Sequence, residues 1–214
     1  MKIAELSQGS GLSIATVKYY LREYLLPPGR ARAANQADYG AEHLQRLRLI
    51  RILVEVGGLS LRQVRAVVEA LDDRRPPTHD LLGVAHHALG PLVEDDPSPD
   101  FVQAQAEVDR FVDEDLGWRV SAPAPGRRAL ARALVTLRRW GRDVDVSVFR
   151  PYARAADWLA SEEVETVERR VADRTDHVQQ VVVGTVVFEA ALVALRRLAQ
   201  EHRSTLVSRM PAAG

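Results

Sequence analysis

The chain has 214 residues, and its 29 Lys+Arg are matched by 29 Asp+Glu to give a formal net charge of zero. Apolar residues make up 46% and charged residues 27%, the balance of a folded globular protein rather than a disordered one. Cysteine is absent, which excludes disulfides, thiolate metal sites, iron–sulfur clusters and a cysteine nucleophile.

In chain order, the first predicted helix runs from about Lys2 to Gln8, with Ile3 and Leu6 inward, and stops at Gly9-Ser10-Gly11. Ser13 is the expected N-cap of the second helix, with Leu12 and Val17 as a hydrophobic staple. Its inward face is Ile14, Val17, Tyr20 and Leu21. Two helices joined by a short glycine turn form a helix-turn-helix. Pro27-Pro28-Gly29 ends helix formation, and Arg30 to Tyr39 suits a short two-stranded hairpin. A third helix spans about Gly40 to Val56. The fourth opens at Ser60, where Ser60 and Gln63 fit a capping box.

Beyond Leu71 the chain reads as all helix. A short helix is expected from Thr78 to about Leu89. Another opens at Ser98-Pro99 and reaches Leu116, and an amphipathic one runs from Arg127 to Trp140. Val146 to Val171 gives either one helix or two broken at Ser161. Asp173 to Arg203 gives the longest, apolar on nearly every face from Val181 to Leu198 and so expected to be central and buried. Val181 to Leu195 is too short to span a bilayer and carries Glu189, and no signal peptide is read at Met1-Lys2-Ile3-Ala4-Glu5. A cytoplasmic protein without membrane contact is expected.

The zero net charge is a cancellation. Residues 1–71 hold ten Lys/Arg against six Asp/Glu, or +4, and residues 72–214 hold nineteen against twenty-three, or −4. A basic head on an acidic body keeps nucleic acid open as a partner. The second helix leaves Thr16, Lys18, Tyr19 and Arg22 outward. Cations suit phosphates and guanine edges, and hydroxyls suit phosphate oxygens. Arg30 and Arg32 on the hairpin are placed to grip the backbone beside it. A solvated polar face accounts for the same residues about equally well.

The ordered run Ile3-Ala4-Glu5-Leu6, Gly11-Leu12-Ser13, Thr16-Val17-Lys18-Tyr19-Tyr20, Leu25-Leu26-Pro27-Pro28, Tyr39, Leu44 to Ile50 and Gly58-Leu59-Ser60-Leu61 closely resembles the DNA-binding domain of the MerR family of transcription regulators. The resemblance covers about residues 1–71. It implies an N-terminal winged helix-turn-helix domain with a two-stranded wing, and with the helical pattern read beyond Leu71 the expected fold is mainly α, that domain followed by an all-α C-terminal helical domain. It also implies a homodimer on a palindromic operator in double-stranded DNA, distorting the promoter so that RNA polymerase can engage. Carried onto this chain, Thr16, Lys18 and Tyr19 fall at the family's DNA-contacting helix positions and Tyr39 at its wing, and with Ser13, Arg22, Arg30 and Arg32 they make up the expected DNA-contacting set. Lys18 stands where arginine is usual, and the wing retains only Tyr39 of its tyrosine motif, with Asn35-Gln36-Ala37 before it. Pro76-Pro77 interrupts the chain and no sustained heptad follows. The dimer is therefore expected to use Thr78 to Leu89 or helices of the body.

The expected domains are 1–71 for DNA binding, 72–77 as linker, and 78–214 for dimerisation and effector binding. Trp118, Trp140, Tyr152, Trp158, Phe188 and Glu189 are candidates for a pocket holding a small organic effector, against the plainer reading of a filled helical core. Glu189 alternatively pairs with Arg196 or Arg197. His86 and His87 diverge by about 100° on a helix, a poor chelating pair, so no metal is expected. Neither a cofactor motif nor a nucleophile–base pair is found, so no enzyme activity is expected. Three readings stay open: a ligand-sensing regulator, a regulator without a small ligand, and a sequestering protein with a vestigial DNA-binding head.

Overall fold

The computed structural model of the chain describes residues 1–33, 36–73, 87, 89–90, 96–168 and 174–208. Its elements in chain order are α1 (Ile3–Ser10), α2 (Ile14–Arg22), β1 (Arg30–Ala33), β2 (Gln36–Asp38), α3 (Ala41–Glu55), α4 (Leu61–Asp72), α5 (Pro99–Arg110), a π-helical turn (Phe111–Asp115), α6 (Pro125–Arg139), a 3₁₀ turn (Val146–Phe149), α7 (Arg150–Glu168) and α8 (Arg174–Ser208). The fold is mainly α, a winged helix-turn-helix followed by helices. It divides into two compact units, Met1–Ala88 with Arg174–Gly214, and Leu89–Asp173. The expected boundary at Leu71 assigned the whole remainder to one domain. By its contacts the C-terminal helix instead groups with the head.

The first unit is built around α3. Leu47, Ile50 and Leu53 on one face are fully buried with Leu6 of α1, Val17 of α2, and Val64 and Val67 of α4. The local signals do what their chemistry requires. Ser60 Oγ accepts from the Gln63 N–H at 3.4 Å while Gln63 Oε1 accepts from the Ser60 N–H at 3.1 Å, closing the capping box that starts α4. The C-terminal helix α8 packs on α3 and α4, burying Val182 and Val186. From there on it is not the buried central helix its composition suggests. Phe188 is 55% exposed and Leu195 62%, because only one side of its first turns meets the head.

The second unit closes α5 on α6 through Phe101, Ala104, Val108, Val112, Ala131, Leu134 and Val135, with Trp118, Val144 and Phe149 packed around them. Ser98 caps α5 by accepting from the Phe101 N–H, and Pro99 takes the N1 place where no N–H is needed. The π turn carries the Leu116 N–H to the Phe111 carbonyl at 2.9 Å, one residue beyond α-helical spacing. Asp109 and Asp113 both accept from Arg127, whose guanidinium is buried and also donates to the Val120 carbonyl at 2.8 Å. That hydrogen-bonded cation holds the Asp113 carboxyl below its ordinary range. Of the two readings left open for this region, the helix unbroken at Ser161 is the one found. Ser161 donates to the Trp158 carbonyl at 2.7 Å, so its hydroxyl is satisfied inside an unbroken α7. The helix expected over Thr78 to Leu89 lies outside the described residues except at His87 and Leu89, which are helical.

Arg138 grips Glu107 with both ends of its fork, at 2.7 and 3.1 Å, joining α6 to α5. The hydrogen bonds from Arg138 hold the Glu107 carboxyl below its ordinary value of 4.5. A depressed folded-state value means that this contribution is present in full above pH 4.5 and is lost as the pH falls through the lower folded value. Glu107→Gln is therefore expected to lower stability at pH 7 and to flatten its fall below pH 4.5, read by urea midpoints across pH. An unchanged acid slope would show the pair to be energetically idle.

Candidate nucleic-acid interface

The turn between α1 and α2 passes through Gly11 at φ +71°, a backbone conformation that costs a side-chain-bearing residue steric strain. Ser13 then caps α2, its Oγ accepting from the Thr16 N–H at 3.1 Å and lying 2.8 Å from Thr16 Oγ1. When the Thr16 hydroxyl donates in that pair, the Ser13 hydroxyl proton is left to point outward. The start of α2 thus offers a hydroxyl donor beside the positive end of a helix.

Lys18 and Arg22 lie one turn apart on α2 and are exposed, with Thr16 and Tyr19 half-buried beside them. The Tyr19 ring leans on Tyr20 at 5.9 Å between centroids, and Tyr20 is buried beneath it. Burial pushes the Tyr20 hydroxyl above its ordinary value, so it serves as a neutral packing group. Val17 is fully buried. One face of α2 is therefore anchored while the cationic face stands clear.

The wing follows. β1 and β2 pair antiparallel with Arg30 opposite Asp38 and Ala31 opposite Ala37, and the register shifts between Ala31 and Ala33. Arg30 and Arg32 are exposed. Arg32 lies 3.6 Å from Asp38, a solvent-screened pair of little strength. Tyr39 stands at the end of the wing. It is 8% exposed, with its ring edge-on to His43 at 5.3 Å, and works as the packing base of the wing. A Cβ at Gly29 would come within 2.8 Å of both the Asp38 carbonyl and the Tyr39 ring, so this close approach requires glycine. The Tyr39 N–H also donates to the Met1 carbonyl at 2.8 Å, tying the wing to the start of the chain.

Two residues at this face escaped the periodicity argument. Ile14 was assigned inward yet is 41% exposed, in the same helical row as Lys18 and Arg22. The signal for it was positional, since the first helical residue after a cap lies at the outer edge of the packed face. Tyr24, just past α2, is 88% exposed at φ +57°, an unusual conformation for a bulky side chain. Nothing in its composition marked it.

Of the six residues expected to line an effector pocket, four lie in the second unit and two in the first. Trp118 packs against the core of the second unit, whereas Trp140 is 75%, Trp158 64% and Tyr152 54% exposed. Phe188 and Glu189 belong to the other unit and are exposed. Glu189 is thus not the buried carboxylate its apolar neighbours suggested. The second unit does contain an open groove of about 730 Å³ lined by Asp100, Gln103, Arg138, Arg139, Arg142 and Asp143 among others. Among the described residues no cluster of His, Cys, Asp and Glu suited to a metal is found, and no helix is long and apolar enough to cross a membrane.

Comparison with known proteins places this geometry among relatives. A family profile described as the MerR HTH family regulatory protein matches residues 1–71. A Haemophilus influenzae protein named HTH-type transcriptional regulator ZntR homolog is 40% identical over 50 residues, which is 23% of this chain. The chain spans 37% of that relative's length. A crystal structure described as the “putative transcriptional regulator SCO5550” from Streptomyces coelicolor A3(2) is 37% identical, with a TM-score of 0.69, covering 95% of this chain and 96% of that one.

Proposed function

The chain belongs to the MerR family of transcription regulators, and on that premise we propose that it acts as a homodimer on a palindromic operator, with α2 in the major groove and the wing on the backbone. The observation that carries this reading is the exposed row of Lys18 and Arg22 on a helix whose opposite side, Val17 and Tyr20, is locked into the core. Ser13, Thr16, Arg22, Arg30 and Arg32 serve as phosphate contacts that set register, while Lys18 and Tyr19 sit where base edges are read. Ile14 supplies an apolar surface for a thymine methyl group. Distorting the promoter for RNA polymerase requires backbone contacts strong enough to offset the deformation energy, and the two wing arginines support that role.

Lys18→Ala is expected to weaken operator binding by about 1–3 kcal/mol and to relax preference at one base position. The measurement is a titration against the operator and single-base variants. Loss that is uniform across sequences would make Lys18 a phosphate contact. No loss would remove it from the face.

Sensing of a small ligand falls to residues 89–173 in this proposal. The groove lined by Arg138, Arg139 and Arg142 with Asp100 and Asp143 suits a polar, charged ligand better than the apolar one suggested by the tryptophans. A sequestering protein with a vestigial head is disfavoured by the intact Ser13 cap and the exposed cations of α2.

A further inference from the structure

Tyr24 stands at the corner where α2 ends, and its backbone is held from both sides. The Glu23 N–H donates to the Tyr19 carbonyl at 2.9 Å, and the Tyr24 N–H to the Leu21 carbonyl at 3.3 Å. The N–H groups of Leu25 and Leu26 both reach the Tyr20 carbonyl, at 3.0 and 3.2 Å, and their side chains are buried. The corner is closed through a left-handed residue at position 24, a place that glycine or asparagine fills at least cost. A tyrosine there carries the steric penalty of a Cβ at φ +57°. Its side chain makes no ring contact or hydrogen bond among the described residues, and 88% of the residue is exposed. Strain that no contact within the chain offsets belongs with residues kept for an external partner.

The surroundings indicate which partner. Arg22, two residues earlier, is exposed on the reading helix. Arg65 of α4 donates to both the carbonyl and the carboxylate of Glu23, at 3.1 and 3.0 Å. Glu23 is thereby neutralised, and the corner presents a phenol beside cationic side chains. A neutral hydroxyl donor among cations suits the oxygens of a phosphate backbone.

We infer that the Tyr24 hydroxyl donates to a phosphate oxygen of the operator just beyond the end of α2 and helps set the register of the reading helix. The inference rests on the reading above that places α2 in the major groove, and it adds a contact outside that helix. The backbone of Tyr24 is already fixed, so the contact forms without ordering a loop.

The test uses the full chain, with urea unfolding followed by circular dichroism and operator titrations at several salt concentrations. Tyr24→Gly is expected to raise the urea midpoint by a few tenths molar, since the strain is relieved. It is also expected to weaken operator binding roughly tenfold. Tyr24→Phe keeps the ring and the strain, so its midpoint should match wild type while its binding falls to the same degree. The hydroxyl is neutral and releases no counterion, so both variants should keep the wild-type salt slope. The loss should also be equal on single-base variants of the operator. A Tyr24→Gly or Tyr24→Phe chain that binds the operator as wild type does would overturn the contact. If transcription from that operator nevertheless fell, the tyrosine would belong to a protein partner instead. A shallower salt slope would attribute the loss to displaced arginines and overturn it as well. A midpoint lowered by Tyr24→Gly would show the ring to be a structural support, and the argument from strain would fall. A wild-type chain with no footprint on any operator would instead remove the regulator reading, and the contact with it.

Discussion

Raising monovalent salt from roughly 50 to roughly 200 mM is expected to weaken operator binding by about 10³-fold, because the proposed dimer presents Arg22, Arg30 and Arg32 twice, at the lower end of the range of phosphate contacts for which counterion release gives such a slope. The whole-chain charge of zero predicts no such dependence, whereas the +4 head does. The experiment is a fluorescence titration at several salt concentrations. A slope matching only about two released ions would mean that the wing arginines do not reach the backbone. Arg30→Ala and Arg32→Ala are the controls, each expected to shallow the slope without altering base preference. The Arg32 ion pair with Asp38 is not a serious competitor, since both side chains are well exposed and water screens them.

Leu134→Ala is expected to destabilise the second unit by about 2–5 kcal/mol, the cost of removing a fully buried leucine and leaving its cavity. Leu134 lies at the centre of the α5–α6 seam among Ala104, Val108 and Ala131. The chain carries its own probe for this unit. Trp118, Trp140 and Trp158 all lie within Leu89–Asp173, while residues 1–71 contain tyrosines and no tryptophan. Tryptophan emission during urea unfolding therefore reports the second unit alone. The midpoint should fall by one to a few molar at a slope of about 1–3 kcal/mol per molar. Operator affinity measured in the absence of urea should hold, because the reading face belongs to the other unit. Loss of DNA binding in parallel with the tryptophan transition would show that the two units fold as one.

How much of this could be read without coordinates differs by region. The head was legible because its signals are local. Ser13 and Ser60 cap, Gly11 turns, Pro27-Pro28 stops, and each acts within three or four residues of itself. Even there, periodicity misplaced Ile14, since helical spacing gives the centre of a buried face more reliably than its edge. Tyr39 could not be sorted into packing or contact, because its burial depends on His43 and Gly29, which meet it only in three dimensions. The body was legible in its helices but not in its pairings. Arg127 read as one cation on an amphipathic surface, yet two aspartates from the preceding helix and turn draw it inside. For α8 the inference from composition failed outright. Apolar residues on every face imply burial, yet among its described side chains only Val182 and Val186 are buried.

The order of the elements has a mechanical consequence. The first unit is closed by residues from both sides of the second: α1 to α4 come before Leu89–Asp173, and α8 comes after it. The second unit is thus an insertion into the head rather than a tail hung from it. It is joined at two covalent crossings, so a single cut at either one would leave the halves connected through the other. Within the first unit, α4 from before the insertion and α8 from after it pack on each other.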